Sequence, residues 1–188
     1  MIDDEDIFPT IPFQDAGYNI DKWDKVKDYN KLENRYYDII ILDIFDVAQH
    51  LSDEDGLGVL ESLKGNNSSQ IIIAYSGHSF DLSKQKFWDL ADEKIAKPSG
   101  FLKIKQIIDV VIAEKFTIQR YWRVIESILA SSNYSQRIID KIEEIFVNAL
   151  NSGKELDWNA IRLILDNNSV VLKTTPVANT ITKNFSKK

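Results

Sequence analysis

The sequence contains no cysteine and only two histidines among its 188 residues. The absence of cysteine excludes disulfide bonds, thiolate nucleophiles and cysteine-based zinc sites. Two histidines are too few for a histidine-rich metal centre, but a site for a hard cation needs only oxygen ligands. No apolar run exceeds five residues, which is too short for a transmembrane helix or for the core of a secretory signal. We therefore expect a cytoplasmic protein without a membrane partner.

Charge is divided unevenly between the two halves of the chain. Residues 1–99 carry 10 Lys or Arg against 20 Asp or Glu, whereas residues 100–188 carry 13 against 9. The length allows one large domain or two small ones, and this asymmetry favours two units with different roles. An acidic first half and a weakly basic second half argue against nucleic acid as a partner.

Two short apolar runs in the first half predict strands that are buried on both faces. They span residues 39–42 and 71–75 and are rich in isoleucine. Such runs are typical of a parallel sheet covered by helices. Further strands are predicted over 18–23 and 94–96, and helices over 28–37, after Gly56, around Leu82, Phe87 and Leu90, and over 101–116. This alternation predicts an α/β fold with a doubly wound parallel sheet.

The residues that directly follow the predicted strands over 39–42, 71–75 and 94–96 are candidates for a functional site. They are Asp43, Ser76 and Lys97. Ligands of such sheets bind at the carboxyl ends of the strands, so an acid, a hydroxyl and an ammonium are expected at one edge. The acidic stretch 3–6 is expected to join them. Clustered carboxylates need a cation to stay ionised close together, and Mg²⁺ prefers oxygen ligands.

Five segments together resemble the receiver domain of two-component response regulators. They are Ile2-Asp3-Asp4-Glu5, 39–43, Asp55-Gly56-Leu57, 71–76 and Lys97-Pro98. The resemblance covers about residues 1–116 and implies a CheY-like, flavodoxin-like sheet followed here by an all-helical extension. It also implies that Asp43 accepts a phosphoryl group from a histidine kinase or phosphotransfer protein.

The resemblance assigns a role to each residue at the sheet edge. Mg²⁺ would be held by Asp3, Asp4, Asp43 and the backbone carbonyl of Phe45. Ser76 would act as the switch hydroxyl that binds a phosphoryl oxygen, and Lys97 would pair with the same group. The bond between Lys97 and Pro98 would be the cis peptide of the family.

The sequence also departs from the family pattern. The chain starts at Met1 and Ile2, where the family has a complete central strand. We therefore expect a truncated first strand, unless the native start lies upstream or another segment, such as 169–173, fills the sheet. Pro9 and Pro12 predict a short or irregular first helix, because proline breaks a helix interior.

Two further departures lie near the predicted phosphorylation site. The loop from Asp43 to Gly56 is longer than is usual in the family, and its acidic run 53–55 predicts a solvated loop that ends at a helix N-terminus. Lys94 stands where the family typically has a Tyr or Phe that rotates with the switch. Both histidines are predicted to be solvated or gating residues in loops: His50 and His78.

The second half predicts amphipathic helices. They span 120–130 and 135–150, and a short third helix is capped by Asp157. The segment after residue 174 is rich in Thr, Asn and Lys, which favours a flexible tail. The expected organisation is a receiver-like domain at 1–116, a helical extension at 117–173 and a tail at 174–188.

These observations predict a response regulator that is not itself an enzyme. Its helical extension would pass the switch to a protein effector or to a second copy of the chain. One alternative is a degenerate receiver that binds a partner without phosphorylation. A further alternative is a DNA-binding transcriptional regulator. A P-loop or dinucleotide enzyme is excluded, because neither glycine fingerprint is present.

Overall fold

The computed structural model describes residues 1–77 and 85–185 of the chain. It consists of two units, which are Met1–Asn66 with Gln70–Lys115, and Asn67–Ser69 with Phe116–Lys188. The main division between Lys115 and Phe116 lies one residue from the expected boundary after residue 116. No helix in the described part of the chain is long and apolar enough to cross a lipid bilayer.

The first unit is built around a three-stranded parallel sheet. Its strands are β1 (Ile39–Leu42), β2 (Ile71–Ser76) and β3 (Glu93–Ala96), with β2 in the middle. Its helices are α1 (Thr10–Asp15), α2 (Tyr29–Glu33), α3 (Gly56–Asn66), α4 (Gln85–Leu90) and α5 (Phe101–Lys115). All six residues of β2 are buried, as expected for a strand with both faces covered. The predicted α/β fold with a parallel sheet is therefore confirmed.

Ile2 extends the sheet beyond β1 through isolated bridges. It pairs in parallel with Leu42 on one side and with Trp23 on the other. The Ile2 amide donates to the Ile41 carbonyl at 2.9 Å, and the Asp43 amide donates to the Ile2 carbonyl at 3.0 Å. The first strand is thus reduced to the bridging residue Ile2, and the predicted strand over 18–23 is reduced to the bridge at Trp23.

Two other predictions for the first unit concern its helices. Helix α1 is six residues long and follows Pro9, in agreement with the short helix predicted from the prolines. The helix predicted over 28–37 is the shorter α2, which Asp28 caps by accepting from the Lys31 amide at 3.2 Å. The predicted positions His78 and Leu82 lie outside the described residues.

The described elements of the second unit are all helices. These are α6 (Ile118–Ser131), α7 (Gln136–Ser152), α8 (Trp158–Ile164) and α9 (Asn168–Phe185). Their apolar faces share a core that includes Ile125, Ile142 and Val177. As predicted, Asp157 caps α8, accepting from the Asn159 and Ala160 amides at 3.1 and 3.0 Å.

Helix α9 corrects two predictions about the C-terminal segment. The tail predicted at 174–188 is helical as far as Phe185, and the strand-like stretch 169–173 is the beginning of the same helix. Residues buried at helical spacing explain both differences: Val170, Val171, Thr174, Val177, Ala178 and Ile181. Burial of this apolar face stabilises a helix that the Thr- and Asn-rich composition alone does not favour.

Candidate functional site

The site lies where the parallel strands end. Asp43 follows β1, Ser76 closes β2 and Lys97 follows β3, while Asp3 follows the bridge at Ile2. Because these elements run in the same direction, their carboxyl ends lie at one edge of the sheet. A surface groove at this edge is lined by Asp4, Asp43, Phe45, Ser76 and Lys97, among others. The structure therefore brings together the residues that the sequence predicts at this edge.

Lys97 is the electrostatic centre of the site. Its Nζ donates to Asp3 Oδ1, to Asp43 Oδ2 at 2.6 Å and to Glu5 Oε2 at 3.0 Å. The side chains of Lys97, Asp3 and Asp43 are only 7%, 0% and 6% exposed, whereas that of Glu5 is 54% exposed. Salt screens the interactions of the three buried groups much less than it screens the contact with Glu5.

Burial and ion pairing act in opposite directions on Lys97. Burial alone would lower the pKa of its ammonium, but the hydrogen bonds that it donates to Asp3, Asp43 and Glu5 outweigh burial and raise that pKa above its ordinary value. Lys97 therefore stays protonated throughout the physiological range. The bond between Lys97 and Pro98 is cis, as the resemblance implies.

Asp3 experiences the opposite balance. Burial raises the pKa of its carboxyl above the ordinary value, although the hydrogen bond and charge of Lys97 work to lower it. Burial, followed by the negative charge of Asp3, also raises the pKa of the neighbouring Tyr75 phenol. The Tyr75 ring lies with its centroid 5.1 Å from Lys97 Nζ. Burial is thus the main cause of both raised pKa values, and the neighbouring carboxylates add to it.

The carboxylates of the site fit a hard cation. One oxygen each of Asp3, Asp4 and Asp43 lie within 4.8 Å of one another. Within the described residues, the buried Asp3 Oδ2 has no hydrogen-bond partner. A buried carboxylate oxygen left in this way is costly, and a cation would satisfy it. An all-oxygen donor set with one exposed member, Asp4, suits Mg²⁺, which keeps several waters.

The chain after β1 is held close to Asp43. The Ile44 amide donates to Asp43 Oδ1 at 2.7 Å, and the Gly56 amide donates to the Ile44 carbonyl at 3.1 Å. A Cβ on Gly56 would lie 2.2 Å from the Asp43 carbonyl oxygen, so only glycine fits there without a backbone shift. The glycine of the Asp55-Gly56-Leu57 motif therefore permits the close approach of α3 to the strand end.

The burial of Asp55 differs from the sequence prediction for this region. The run 53–55 was predicted to be solvated, and Asp53 and Glu54 are indeed exposed, but Asp55 is buried. Its carboxylate accepts hydrogen bonds from consecutive amides of the loop, those of Asp46, Val47 and Ala48. Spacing alone could not reveal this inward orientation, because the three residues are equally acidic.

Two other predicted positions lie away from these contacts. His50 is exposed, and its Nε2 lies 2.9 Å from the Val26 carbonyl oxygen. Lys94 is exposed on β3 and lies with Trp88 and Lys103 along a separate shallow groove. The large aromatic side chain along this groove is therefore Trp88 of α4, whereas the position on β3 is occupied by the charged Lys94.

Comparison with known proteins supports the fold. No protein-family model matches the chain, and no curated protein sequence matches it. A CheY-like response regulator receiver domain protein from Methanospirillum hungatei JF-1 is 22% identical, with a TM-score of 0.50, over 61% of this chain and 91% of that chain. Full-length FixJ from B. japonicum is 18% identical, with a TM-score of 0.50, over 100% of this chain and 89% of that chain.

These similarities confirm the predicted resemblance at the level of the fold. The chain has the CheY-like receiver fold and a helical C-terminal region. Its structural neighbours are response regulators.

Proposed function

We propose that the first unit is a receiver that accepts a phosphoryl group on Asp43 from a histidine kinase or phosphotransfer protein. The observation that carries this proposal is the buried contact of Lys97 with Asp3 and Asp43. In a receiver fold, this contact places a nucleophilic carboxylate, a fixed cation and further carboxylates at one strand edge. The chain would then be a signalling protein and not an enzyme with a separate substrate.

The chemistry requires a carboxylate that is held in position and a means of neutralising charge. One oxygen of Asp43 is held by the Ile44 amide and the other by Lys97, so the carboxylate cannot rotate freely. In the transfer, an Asp43 oxygen forms a bond to phosphorus while the bond from phosphorus to the donor's imidazole nitrogen breaks. The nitrogen keeps the electron pair, and the donor leaves as a neutral imidazole because its other ring nitrogen carries a proton. Lys97 stabilises the negative charge on the phosphoryl oxygens.

The metal ligands in this proposal are Asp3, Asp4, Asp43 and the Phe45 carbonyl. Bound Mg²⁺ would supply further neutralisation of the phosphoryl oxygens. The protein's own part is to hold the carboxylates close together and to keep Asp3 shielded from water. The distance among the three carboxylates and the unsatisfied Asp3 oxygen support this assignment.

The phosphoryl group would then act as a switch. It adds negative charge and three acceptor oxygens to a groove that Ser76 and Lys97 already line. Lys97 can exchange its contacts with the carboxylates for contacts with the phosphoryl oxygens, and the Ser76 hydroxyl can donate to them. The second unit would pass this change to a protein effector or to a second copy of the chain.

Intact-mass spectrometry tests the proposal. The full chain is incubated with Mg²⁺ and acetyl phosphate, beside Asp43→Asn and the matched surface variant Asp53→Asn. We expect a gain of one phosphoryl group in the wild type and in Asp53→Asn. Asp43→Asn and a chelator should both abolish the gain. A folded wild type that gains no phosphoryl group at saturating Mg²⁺ would contradict the proposal.

A degenerate receiver is the second candidate. The reduction of the first strand to a bridge at Ile2 and the charged Lys94 on β3 both favour it. This candidate predicts that a partner binds equally well to the wild type and to Asp43→Asn, whether or not acetyl phosphate is present. The phosphorylated receiver instead predicts partner binding that depends on Asp43.

A further inference from the structure

The loop between β1 and α3 is anchored by the Asp55 carboxylate. Asp55 Oδ2 accepts from the Asp46 amide, and Oδ1 accepts from the Val47 and Ala48 amides at 3.1 and 2.5 Å. Asp55 is only 8% exposed, and Val47 and Ala48 are fully buried. A buried carboxylate that accepts hydrogen bonds from three backbone amides holds its loop firmly, because charge-assisted hydrogen bonds are stronger than neutral ones.

The bond to the Asp46 amide also constrains Phe45. The Asp46 N–H and the Phe45 carbonyl belong to the same planar peptide group, in which the two point in opposite directions. When Asp55 accepts from that N–H, the Phe45 carbonyl must point away from Asp55. Phe45 lines the same groove as Asp4 and Asp43. The orientation of this peptide group therefore determines whether the Phe45 carbonyl oxygen faces the groove.

Neighbouring contacts restrict the orientation of the peptide group between Phe45 and Asp46. On one side, Ile44 is held by Asp43 Oδ1 and by the Gly56 amide. On the other side, Asp46 has a left-handed φ of 58°, and its side chain accepts from Gln49 Nε2 at 2.7 Å. Non-glycine residues seldom adopt that conformation without support. Asp55 supplies the support from the far end of a loop that is longer than is usual in receivers.

We propose that Asp55 is a positioning residue for the metal site: through the Asp46 amide, its carboxylate orients the Phe45 carbonyl toward the cation. The inference rests on the proposed function, because it concerns the Mg²⁺ site assigned there. It adds a residue that does not touch the metal. It also gives the long loop a role, because Asp55 holds the backbone of the loop at the residues that pass the site.

Isothermal titration of the full chain with Mg²⁺ tests the inference. Asp55→Asn keeps the size of the side chain and tolerates the left-handed φ of 52° at this position. It replaces one acceptor with an NH₂ group that cannot accept from an amide. Asp53→Asn is the matched control, because it removes the same charge from an exposed position in the same loop.

We expect the Mg²⁺ dissociation constant of Asp55→Asn to rise by about tenfold or more, as is usual when a group that orients a metal ligand is lost. Asp53→Asn should bind as the wild type does. Equal affinity of the two variants would overturn the inference while leaving the proposed function intact. Absence of Mg²⁺ binding by the wild type would instead contradict the metal site itself, and the inference with it.

Hydrogen exchange on the wild type gives a second test that does not depend on a variant's folding. Coordination of the Phe45 carbonyl and donation by the Asp46 amide involve the same peptide group, so each should stabilise the other. We expect exchange at the Asp46 amide to slow when Mg²⁺ saturates the protein. Unchanged exchange at this amide, with Mg²⁺ binding measured in the same sample, would also overturn the inference.

Discussion

At the scale of single residues, the site is a balance between one buried ammonium and several carboxylates. Lys97 contacts Asp3, Asp43 and Glu5, and burial disfavours ionised Asp3 even with Lys97 beside it. Asp43, Ser76 and Lys97 could be predicted from the sequence, because each directly follows or closes a recognisable strand. The burial of Asp55 could not be predicted, because a buried and an exposed acid in one run look alike in sequence.

Loss of Lys97 should destabilise the protein. In Lys97→Gln, the carboxylates of Asp3 and Asp43 lose their buried cationic partner, which should lower the free energy of unfolding by about 1–3 kcal/mol at pH 7. Urea unfolding measures the change. The control is Lys94→Gln, an exposed position where we expect a change within about 0.5 kcal/mol. Equal effects of the two substitutions would show that the buried ion pairs contribute nothing particular to stability.

The raised pKa of Asp3 predicts how stability depends on pH. The native carboxyl binds its proton more tightly than the unfolded one does, so this group's contribution is fully present below the unfolded pKa of about 3.9. The contribution is lost as the pH rises through the native pKa. We therefore expect the stability of Asp3→Asn relative to the wild type to increase between pH 4 and pH 7 in metal-free buffer.

Urea unfolding at several pH values between these limits gives the measurement. Asp6→Asn serves as its control, because Asp6 is an exposed acid of the same stretch. A stability difference between Asp3→Asn and the wild type that stays constant over this pH range would contradict the assigned direction of the Asp3 pKa.

At the scale of elements, the close approach of α3 to the end of β1 shapes the site. Apolar runs predicted the main strands, and helical periodicity predicted α5, α6 and α7 because these elements bury regular faces. Helix α9 was missed because its polar composition hides the buried face that stabilises it. The strand predicted near Trp23 is reduced to a bridge, since Ile2 is the one residue that pairs with it in the part of the chain that the structure describes.

Two glycines of α3 provide a matched test of that close approach. In Gly56→Ala the new Cβ would meet the Asp43 carbonyl oxygen at 2.2 Å, so the backbone must shift. We expect a loss of about 1–3 kcal/mol in unfolding free energy, as is usual for overpacking. Gly65→Ala has nothing within 4 Å of the new Cβ and should stabilise the helix by up to about 1 kcal/mol. Thermal unfolding of both variants tests this, and a neutral Gly56→Ala would contradict the packing.

At the scale of the whole molecule, the chain consists of two units with separate cores. The contrast in charge between an acidic half and a weakly basic half favours two units, although charge does not reveal that the C-terminal segment folds as a helix. Carboxylates that could hold a cation are clustered in the first unit. The carboxylate cluster and the helical core of the second unit therefore belong to different parts of the chain.

This separation predicts that Mg²⁺ stabilises one unit selectively. At a concentration 100 times its dissociation constant, a ligand stabilises the native state by about 2.7 kcal/mol. We expect Mg²⁺ to slow hydrogen exchange in β1 and β2 but not in α7. Asp43→Asn should reduce the effect, because it removes a ligand charge. Equal protection of both units would show that the cation binds elsewhere.

Localising the phosphoryl group tests the central claim most directly. The full chain is treated with acetyl phosphate and Mg²⁺ and then with borohydride, which reduces an acyl phosphate to an alcohol, and its peptides are mapped by mass spectrometry. The account predicts that Asp43, and no other carboxylate, is converted to homoserine. Conversion at a different residue, or at none in a folded and Mg²⁺-saturated protein, would contradict it.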